Sequence, residues 1–196
     1  MAAKKTPSAS VTIAGFTVEQ WKQHMDEDED WTERLEDAPD ARVAEVVAAL
    51  DHADADVRGL ACNLAYALGV EGLRGHAEAA VERLANLSRS DPKPKVKSRA
   101  RVVHETLAAD LQRAAIRREL PWLGAWDPAA VPAAIAALQD PREAVRVQVY
   151  LWWSNAGTVP ASARGDAATA LRRAAERETD ATARHLASLA VAALGG

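Results

Sequence analysis

The residues of this chain that could do chemistry are its histidines, its one cysteine and its many carboxylates. The histidines are too scattered for the short spacings with which proteins bind zinc; they are His24, His52, His76, His104 and His185. A glycine-rich phosphate loop, a nucleophile elbow and the H-E-x-x-H motif are all missing from the sequence. The acidic residues are too numerous to single out a catalytic pair. The sequence therefore predicts no catalytic residue, no metal site and no cofactor.

Charge is segregated along the chain, although the net charge is only -4. Residues 26–40, DEDEDWTERLEDAPD, hold nine acidic residues and one arginine. A tight basic cluster follows later, comprising Arg89, Lys93, Lys95, Lys97, Arg99 and Arg101. Such a cluster binds nucleic-acid phosphates or an acidic protein, or else it is a solvated turn that faces the chain's own acidic segment. Because the whole chain is acidic and the cluster contains no aromatic residue, nucleic acid is the less favoured partner.

The composition predicts a helical, soluble protein. Alanine, the best helix former, is abundant, and the residues typical of strands are sparse. The single cysteine, Cys62, excludes an internal disulfide. The N-terminal segment lacks the apolar core of a signal peptide, and no apolar run approaches the ~18 residues of a membrane helix. We therefore expect an all-α protein in the cytoplasm, without membrane contact and with a flexible tail over residues 1–15.

A repeated pattern positions the candidate residues. Four residue pairs serve as anchors, at spacings of 39, 49 and 38 residues: Val57-Arg58, Val96-Lys97, Val145-Arg146 and Ala183-Arg184. Counted from the first residue of each pair, offsets 4, 7, 8 and 11 are mainly apolar, which defines one face of a helix with 3.6 residues per turn. Three of these helices are followed at offset 12 by a glycine suited to a helix C-terminus, namely Gly69, Gly157 and Gly195. The second helix has alanine there and is predicted to run on toward Arg118.

Each anchored helix is preceded by a turn and another helical segment. These first helices are DARVAEVVAAL, GHAEAAVERLANL, DPAAVPAAIAAL and GDAATALRRAAERE. Asp127 and Pro128 suit the N-cap and the first helical position of the third segment. Upstream of all four repeats, FTVEQWKQHM predicts an amphipathic helix that packs Phe16, Trp21 and Met25 inward and caps the first repeat. The alternative is that this helix docks onto another protein.

This pattern resembles the HEAT repeat. The anchor pairs carry the resemblance over about residues 40–195, together with the turn aspartates Asp54, Asp56, Asp91, Asp140 and Asp180. The resemblance implies an all-α, right-handed α-solenoid of about four helical hairpins, with an N-terminal capping helical segment, in one domain over residues 16–196. The repeats are expected at about 31–69, 71–118, 127–157 and 160–196. In HEAT proteins the anchor arginine typically meets a turn aspartate of its own or a neighbouring repeat, so we expect these arginines to be structural.

The resemblance also implies a concave face lined by the second helices, at offsets 2, 5, 6 and 9. From these offsets we select partner-binding residues: Tyr66, Arg101, Glu105, Tyr150, Leu151, Ser154 and His185. Tyr66, Tyr150 and Leu151 are unusually apolar for solvent-facing positions, and aromatic residues are enriched in interfaces. The alternative is that these side chains contact the N-terminal segment or a neighbouring subunit.

Four tryptophans lie in or just before the third repeat. Trp152 and Trp153 occupy core offsets, and each needs a partner for its indole N–H if it is buried. Trp122 and Trp126 lie in the insertion that lengthens the spacing before this repeat, where Pro121 interrupts the helix. They either fill a gap between repeats or form an exposed aromatic anchor for a partner.

These observations predict a non-catalytic protein-interaction module or scaffold that binds another protein through its concave face. The warrant is analogy with other HEAT-like proteins, which mostly work in this way. Two HEAT-like groups of enzymes, alkylpurine DNA glycosylases and phycobilin lyase-type proteins, supply an enzymatic alternative. Binding of nucleic acid through residues 89–101 is a further alternative.

Overall fold

The computed structural model describes residues 11–28, 30–36, 38–156 and 159–194. Within these residues the regular secondary structure is helical apart from one small hairpin of strands β1 (Thr12–Ile13) and β2 (Phe16–Thr17), which confirms the predicted all-α class. The helices are α1 (Val18–Glu27), α2 (Glu33–Glu36), α3 (Asp40–Ala49), α4 (Ala55–Leu73), α5 (Ala77–Ser90), α6 (Pro94–Glu119), α7 (Val131–Ala137), α8 (Glu143–Ser154), α9 (Ala161–Arg177) and α10 (Ala181–Ala193). Short 3-10 turns precede α5 and α7 and follow α6.

The hairpin occupies part of the segment that was expected to be a flexible tail. β1 pairs antiparallel with β2, with Ile13 opposite Phe16, and the turn between them has positive φ at Ala14 and Gly15. Ile13 is buried, and its carbonyl accepts a hydrogen bond from the indole Nε1 of Trp21 at 2.7 Å. The burial of Ile13 and its hydrogen bond with Trp21 hold this segment in place. The prediction that residues 11–15 belong to a flexible tail was therefore wrong. Residues 1–10 lie outside the described part of the chain.

Helix α1 is the amphipathic helix that FTVEQWKQHM predicts. Thr17 and Gln20 form a capping box at its N-terminus, which satisfies backbone N–H groups that the first turn leaves free. Trp21 is fully buried, and the Phe16 ring packs edge-on against it with centroids 5.1 Å apart. Met25 is half-buried against the same core. The apolar side of α1 thus packs onto the first repeat, as expected.

Four pairs of successive helices lie at about the ranges expected for the four repeats. Their first and second helices are α3 and α4, α5 and α6, α7 and α8, and α9 and α10. Asp54 and Asp180, three residues before their anchors, cap α4 and α10 by accepting backbone N–H groups. Asp127 accepts from the backbone N–H of Ala129 at 2.9 Å, so the predicted cap is confirmed.

Gly69 ends the regular part of α4. Its φ and ψ of 59° and -175° interrupt the helix four residues before its last residue, Leu73. Residues with a Cβ rarely adopt this backbone conformation, whereas glycine adopts it readily. The prediction of a helix C-terminus at Gly69 is therefore confirmed, while Gly157 and Gly195 lie outside the described residues.

The chain forms two compact units, one up to Leu111 and one from Gln112, where the sequence analysis expected one domain. The N-terminal unit has a core that includes Trp21, Leu50, Leu64, Leu84 and Leu107. The C-terminal unit has a core that includes Leu138, Val149, Trp153, Leu171 and Ala187. Each unit therefore buries the apolar faces of two repeats. Among the described residues, no helix has both the length and the apolar character needed to cross a membrane.

Candidate partner-binding groove

The anchor arginine of the first repeat joins two turns. Arg58 Nε lies 2.6 Å from Asp91 Oδ2, and Arg58 Nη2 lies 3.2 Å from Asp91 Oδ1. The remaining nitrogen, Nη1, donates to the carbonyls of His52 and Ala53 at 2.7 and 2.8 Å. Both members of the ion pair are buried. The guanidinium therefore ties the turn of repeat 1 to the turn of repeat 2, which is the structural role expected for it.

Arg146 makes the same contacts in the C-terminal unit. Its Nε and Nη2 lie 2.6 and 2.9 Å from the two carboxylate oxygens of Glu178, and its Nη1 donates to the carbonyls of Asp140 and Pro141. The hydroxyl of Tyr150 donates to Glu178 Oε1 at 2.6 Å. The pair Arg146–Glu178 therefore joins the turns of repeats 3 and 4.

The acceptor of each pair stands five residues before the anchor of the following repeat. In the last repeat Arg184 makes only the local contacts, donating to the carbonyl of Glu178 at 2.8 Å. Repeat 3 has Asp140 at the acceptor position, but the preceding repeat has Lys97 in place of the arginine. Asp140 binds Arg142 instead, with Oδ2 2.9 Å from Nη2. Thus the repeat that has lysine in place of the anchor arginine is followed by an acceptor, Asp140, that binds a different arginine.

The buried carboxylates of these pairs are held in their ionised form. The hydrogen bond from Arg58 lowers the pKa of Asp91, and the hydrogen bond from Arg146 lowers the pKa of Glu178. Burial raises the pKa of Tyr150, so its hydroxyl keeps the proton that it donates. Since every polar atom of the Glu178 carboxylate is engaged in charge-assisted hydrogen bonds, this network fixes the register of the repeats and is not an acid–base site.

Tyr150 is a core residue, and its prediction as a partner-binding residue was wrong. It is fully buried, and so is Cys62 at the same offset, 5, of the first repeat. At this offset Arg101 and Ser188 are exposed. The difference arises because α8 packs against α10 of the following repeat, and a helical wheel drawn for one hairpin does not include that neighbour. Burial also raises the pKa of the Cys62 thiol to about 12.

The second helices α4 and α6 border an open groove of about 470 Å³ in the N-terminal unit. This α4–α6 groove is lined by Asn63, Tyr66, Lys95, Ser98, Arg99, Val102 and Val103. The side chains of Tyr66 and Val102 are 56% and 53% exposed, although both are apolar over most of their surface. Tyr66 is therefore exposed, as its offset predicts.

A smaller depression of about 250 Å³ shares Asn63, Lys95 and Arg99 with the α4–α6 groove. Its opposite side is formed by Lys22 and Met25 of α1 and by the start of α4. The two depressions therefore form one continuous surface, with Lys95 and Arg99 at its centre.

Lys95 and Arg99 are the members of the basic cluster that line the groove. All six cations of the cluster are exposed, and Arg89 donates to the side-chain oxygen of Asn86 at 2.7 Å. Within the described part of the chain, none of the six forms an ion pair with a carboxylate. The alternative in which the cluster pairs with the acidic segment 26–40 therefore gains no support.

The other residues selected from the sequence do not line this groove. Arg101 and Glu105 are exposed on α6 but do not line the groove. Leu151, Ser154 and His185 belong to α8 and α10 of the C-terminal unit, where Leu151 and His185 are exposed and Ser154 is half-buried. The structure thus brings together Tyr66, Lys95 and Arg99 alone among the selected residues.

Val102 and Lys22 are among the lining residues that were not selected from the sequence. Val102 occupies offset 6, one of the positions predicted to face away from the core, but it was not chosen as a partner-binding residue. No pattern in the sequence indicated Lys22, because only the packing of α1 onto α4 brings this side chain to the surface. Asn63 of α4 lies 4.0 Å from the sulfur of Met25, which marks the same junction.

The tryptophans of the third repeat pack against one another. The rings of Trp122 and Trp126 are half-buried, with centroids 5.3 and 4.5 Å from that of Trp152. Trp152 Nε1 donates to the carbonyl of Ala125 at 3.1 Å, whereas the buried Nε1 of Trp153 has no acceptor among the described residues. The insertion therefore fills space beside α8, and the exposed-anchor alternative is not supported.

Within the described ranges, no group of three or more histidine, cysteine, aspartate or glutamate side chains is arranged to hold a metal ion. Comparison of the chain with protein-family models, with curated proteins and with solved structures gave no match. The resemblance to HEAT repeats therefore rests on the internal repetition of the sequence alone.

Proposed function

We propose that this protein is a non-catalytic interaction module of the HEAT-like, right-handed α-solenoid kind, and that it binds another protein through the α4–α6 groove. The recurrence of the same arginine contacts at Arg58, Arg146 and Arg184 supports the HEAT-like part. Register-fixing contacts between successive helical hairpins are a property of stacked repeats. We propose a cytoplasmic location, since the chain has one cysteine and needs no oxidising compartment.

One observation carries the proposed binding function. The α4–α6 groove combines two exposed apolar side chains, Tyr66 and Val102, with two cations, Lys95 and Arg99, that have no carboxylate partner among the described residues. An apolar depression with a polar rim is the usual composition of a protein-binding surface. Tyrosine and arginine are also the residues that most often dominate binding energy in interfaces.

Affinity capture with a matched pair of variants tests this proposal. The tagged protein is incubated with a lysate of its source, with and without nuclease, and the captured proteins are quantified by mass spectrometry. Tyr66→Glu places a charge in the groove, and Leu189→Glu places the same charge on an exposed apolar residue of α10. We expect a near-stoichiometric protein partner that resists nuclease, is lost with Tyr66→Glu and is retained with Leu189→Glu.

Two results would contradict the proposal. If no protein is retained above an untagged control, the interaction function is wrong. If Tyr66→Glu and Leu189→Glu retain the partner equally well, the groove is the wrong surface.

Nucleic-acid binding is a second candidate, favoured by the cations of the basic cluster, which are exposed and form no ion pair with a carboxylate among the described residues. Its affinity would come from phosphate contacts, so it would fall steeply with added salt. Fluorescence anisotropy with a labelled oligonucleotide between low and physiological salt checks this, and binding that is absent or insensitive to salt excludes it. No observation among the described residues favours the glycosylase-like or the lyase-like alternative.

A further inference from the structure

We infer that the partner of the α4–α6 groove is an acidic protein segment in extended conformation, with a large apolar side chain about three residues from a carboxylate. This inference rests on the proposed function and names the chemistry of the partner. Three features of the surface support it: the positive charge of its lining lysine and arginine, the apolar end of the groove and the distance between the two.

The charge of the surface favours a carboxylate. Lys95 and Arg99 line both depressions, and Lys22 lines the smaller one. The acidic residue lining this surface is Asp56, which is 3.9 Å from Lys22 and so offsets the charge of that lysine. Among the described residues, no carboxylate forms an ion pair with Lys95 or Arg99, and their positive charges attract and orient an acidic segment.

The apolar end of the groove favours a large aliphatic or aromatic side chain. Tyr66 of α4 and Val102 of α6 are both more than half exposed, and Val103 lines the space between them. Covering these side chains removes apolar surface from water, which stabilises a complex. A tyrosine at the edge of such a depression also packs against an aromatic ring at little cost in conformational entropy.

The spacing of the lining residues sets the spacing in the partner. Lys95, Arg99 and Val102 follow one side of α6, since they stand at positions i, i+4 and i+7. Seven residues of a helix rise about 10 Å. A chain in the extended polyproline II conformation rises about 3.1 Å per residue with three residues per turn, so side chains three residues apart span nearly that distance and lie on the same side. A segment whose carboxylate binds Lys95 therefore places a side chain three residues away beside Val102 and Tyr66.

A long polyanion fits this surface less well than a short acidic segment. Asp26 and Glu27 are exposed at the end of α1, the helix that supplies Lys22 and Met25. Glu105 is exposed on α6 beyond Val102. A nucleic acid that runs along the groove meets these carboxylates at its ends, and like charges repel. A segment of a few residues that binds between them avoids this repulsion.

Selection from a library of random twelve-residue peptides displayed on phage tests the inference without a known partner. The bait is the full-length protein, and the selected sequences are then screened against two double variants. Lys95→Glu/Arg99→Glu reverses the charges in the groove, and Lys97→Glu/Arg101→Glu makes the same change in net charge on cations of the same helix that do not line it. All four residues are exposed, and circular dichroism verifies that both variants keep their helix content.

We expect the enriched peptides to contain aspartate or glutamate about three residues from leucine, phenylalanine, tyrosine or tryptophan. For a synthetic peptide of that consensus, fluorescence anisotropy should show affinity at least about tenfold weaker for Lys95→Glu/Arg99→Glu, because two attractive contacts become repulsive. Lys97→Glu/Arg101→Glu should change it by less than about threefold, as expected for charges outside the contact. Tyr66→Ala should weaken it about fivefold or more, because a buried aromatic contact is lost.

Each other result overturns a defined part of the argument. Enriched peptides that depend on the groove but are not acidic would refute the inferred chemistry and leave the proposed function standing. Equal loss with the two double variants would show general electrostatic attraction and refute the groove as the site. A labelled oligonucleotide that binds more tightly than any selected peptide would favour nucleic acid. If none of the enriched peptides depends on Tyr66, Lys95 or Arg99 for binding, the result contradicts the proposed function itself.

Discussion

Arg58 and Asp91 lie 33 residues apart in the sequence and form a buried bidentate ion pair, with Nε 2.6 Å from Oδ2. Arg146 and Glu178 form the equivalent pair in the C-terminal unit, 32 residues apart. In both pairs the arginine also binds two carbonyls of its own turn, so that one side chain fixes the position of two successive turns. The helices that present the α4–α6 groove are therefore held in register by a contact at their first turns.

Arg58→Leu should destabilise the N-terminal unit by about 3–5 kcal/mol, because it leaves the carboxylate of Asp91 buried without its cation. Amide hydrogen exchange read by mass spectrometry should show faster exchange in α4 and in the first half of α6. Arg146→Leu is the matched change in the other unit and should act mainly on α8 and α10. A similar small effect of both variants across the whole chain would contradict the assigned role of these pairs.

Tyr150→Phe should lower the free energy of unfolding by about 1.5–3 kcal/mol, the contribution typical of a hydrogen bond to a charged group. The hydroxyl of Tyr150 donates to Glu178, and both side chains are buried. Tyr66→Phe makes the same chemical change at an exposed site and should alter stability by less than about 0.5 kcal/mol. Urea denaturation followed by circular dichroism measures both, and equal effects of the two changes would refute the prediction.

Acidification should remove part of the stability. The pKa of Asp91 is lowered mainly by the hydrogen bond from Arg58, and that of Glu178 mainly by the hydrogen bond from Arg146. Because both are lowered on folding, their stabilising contribution is complete above the unfolded-state values of about 3.9 and 4.3. It is lost as the pH falls below them through the folded-state values.

The double variant Asp91→Asn/Glu178→Gln tests this dependence. It should be less stable than the natural chain at neutral pH, but its urea midpoint should fall less between pH 5 and pH 3. Asp166→Asn, a change at an exposed carboxylate of α9, should keep the steeper fall. An unchanged pH dependence in the double variant would show that these two carboxylates are not responsible.

Cys62 should react slowly with thiol reagents in the folded protein. The side chain is fully buried, and burial raises the pKa of its thiol to about 12, so that little reactive thiolate is present. As the only cysteine of the chain, it reports opening of the N-terminal unit. Labelling should accelerate by about a hundredfold or more with Arg58→Leu and stay nearly unchanged with Arg146→Leu. Rapid labelling of the natural chain in buffer would contradict the buried position.

Gly69→Ala should destabilise the N-terminal unit by about 1–3 kcal/mol. Gly69 has φ 59° and ψ -175°, and a Cβ there would meet no atom within 4 Å, so the cost is one of backbone conformation alone. Gly75→Ala is the control, because this glycine also has open space but no positive φ. Thermal unfolding gives the midpoint temperature of each variant. Equal midpoints for Gly69→Ala and Gly75→Ala would mean that the backbone conformation at position 69 imposes no strain on alanine.

The sequence by itself determined the helical class and the positions of the repeats. Anchors at Val57, Val96, Val145 and Ala183 locate the second helices, and the turn residues Asp54, Asp127 and Asp180 cap helices as expected. Apolar periodicity and capping are local properties, which a sequence records directly. The buried role of Arg58 was also predictable, because its chemistry recurs at Arg146 and Arg184.

Only the tertiary structure decided which offset positions face solvent and which residues meet in the groove. Tyr150 and Tyr66 looked alike in the helical pattern, but α10 covers one of them while the other stays exposed. The hairpin at Ile13 and the contribution of Lys22 were likewise not predictable, because both depend on how α1 packs onto the first repeat. Burial between repeats is a contact between residues distant along the chain, and the periodicity of a single helix contains no information about it.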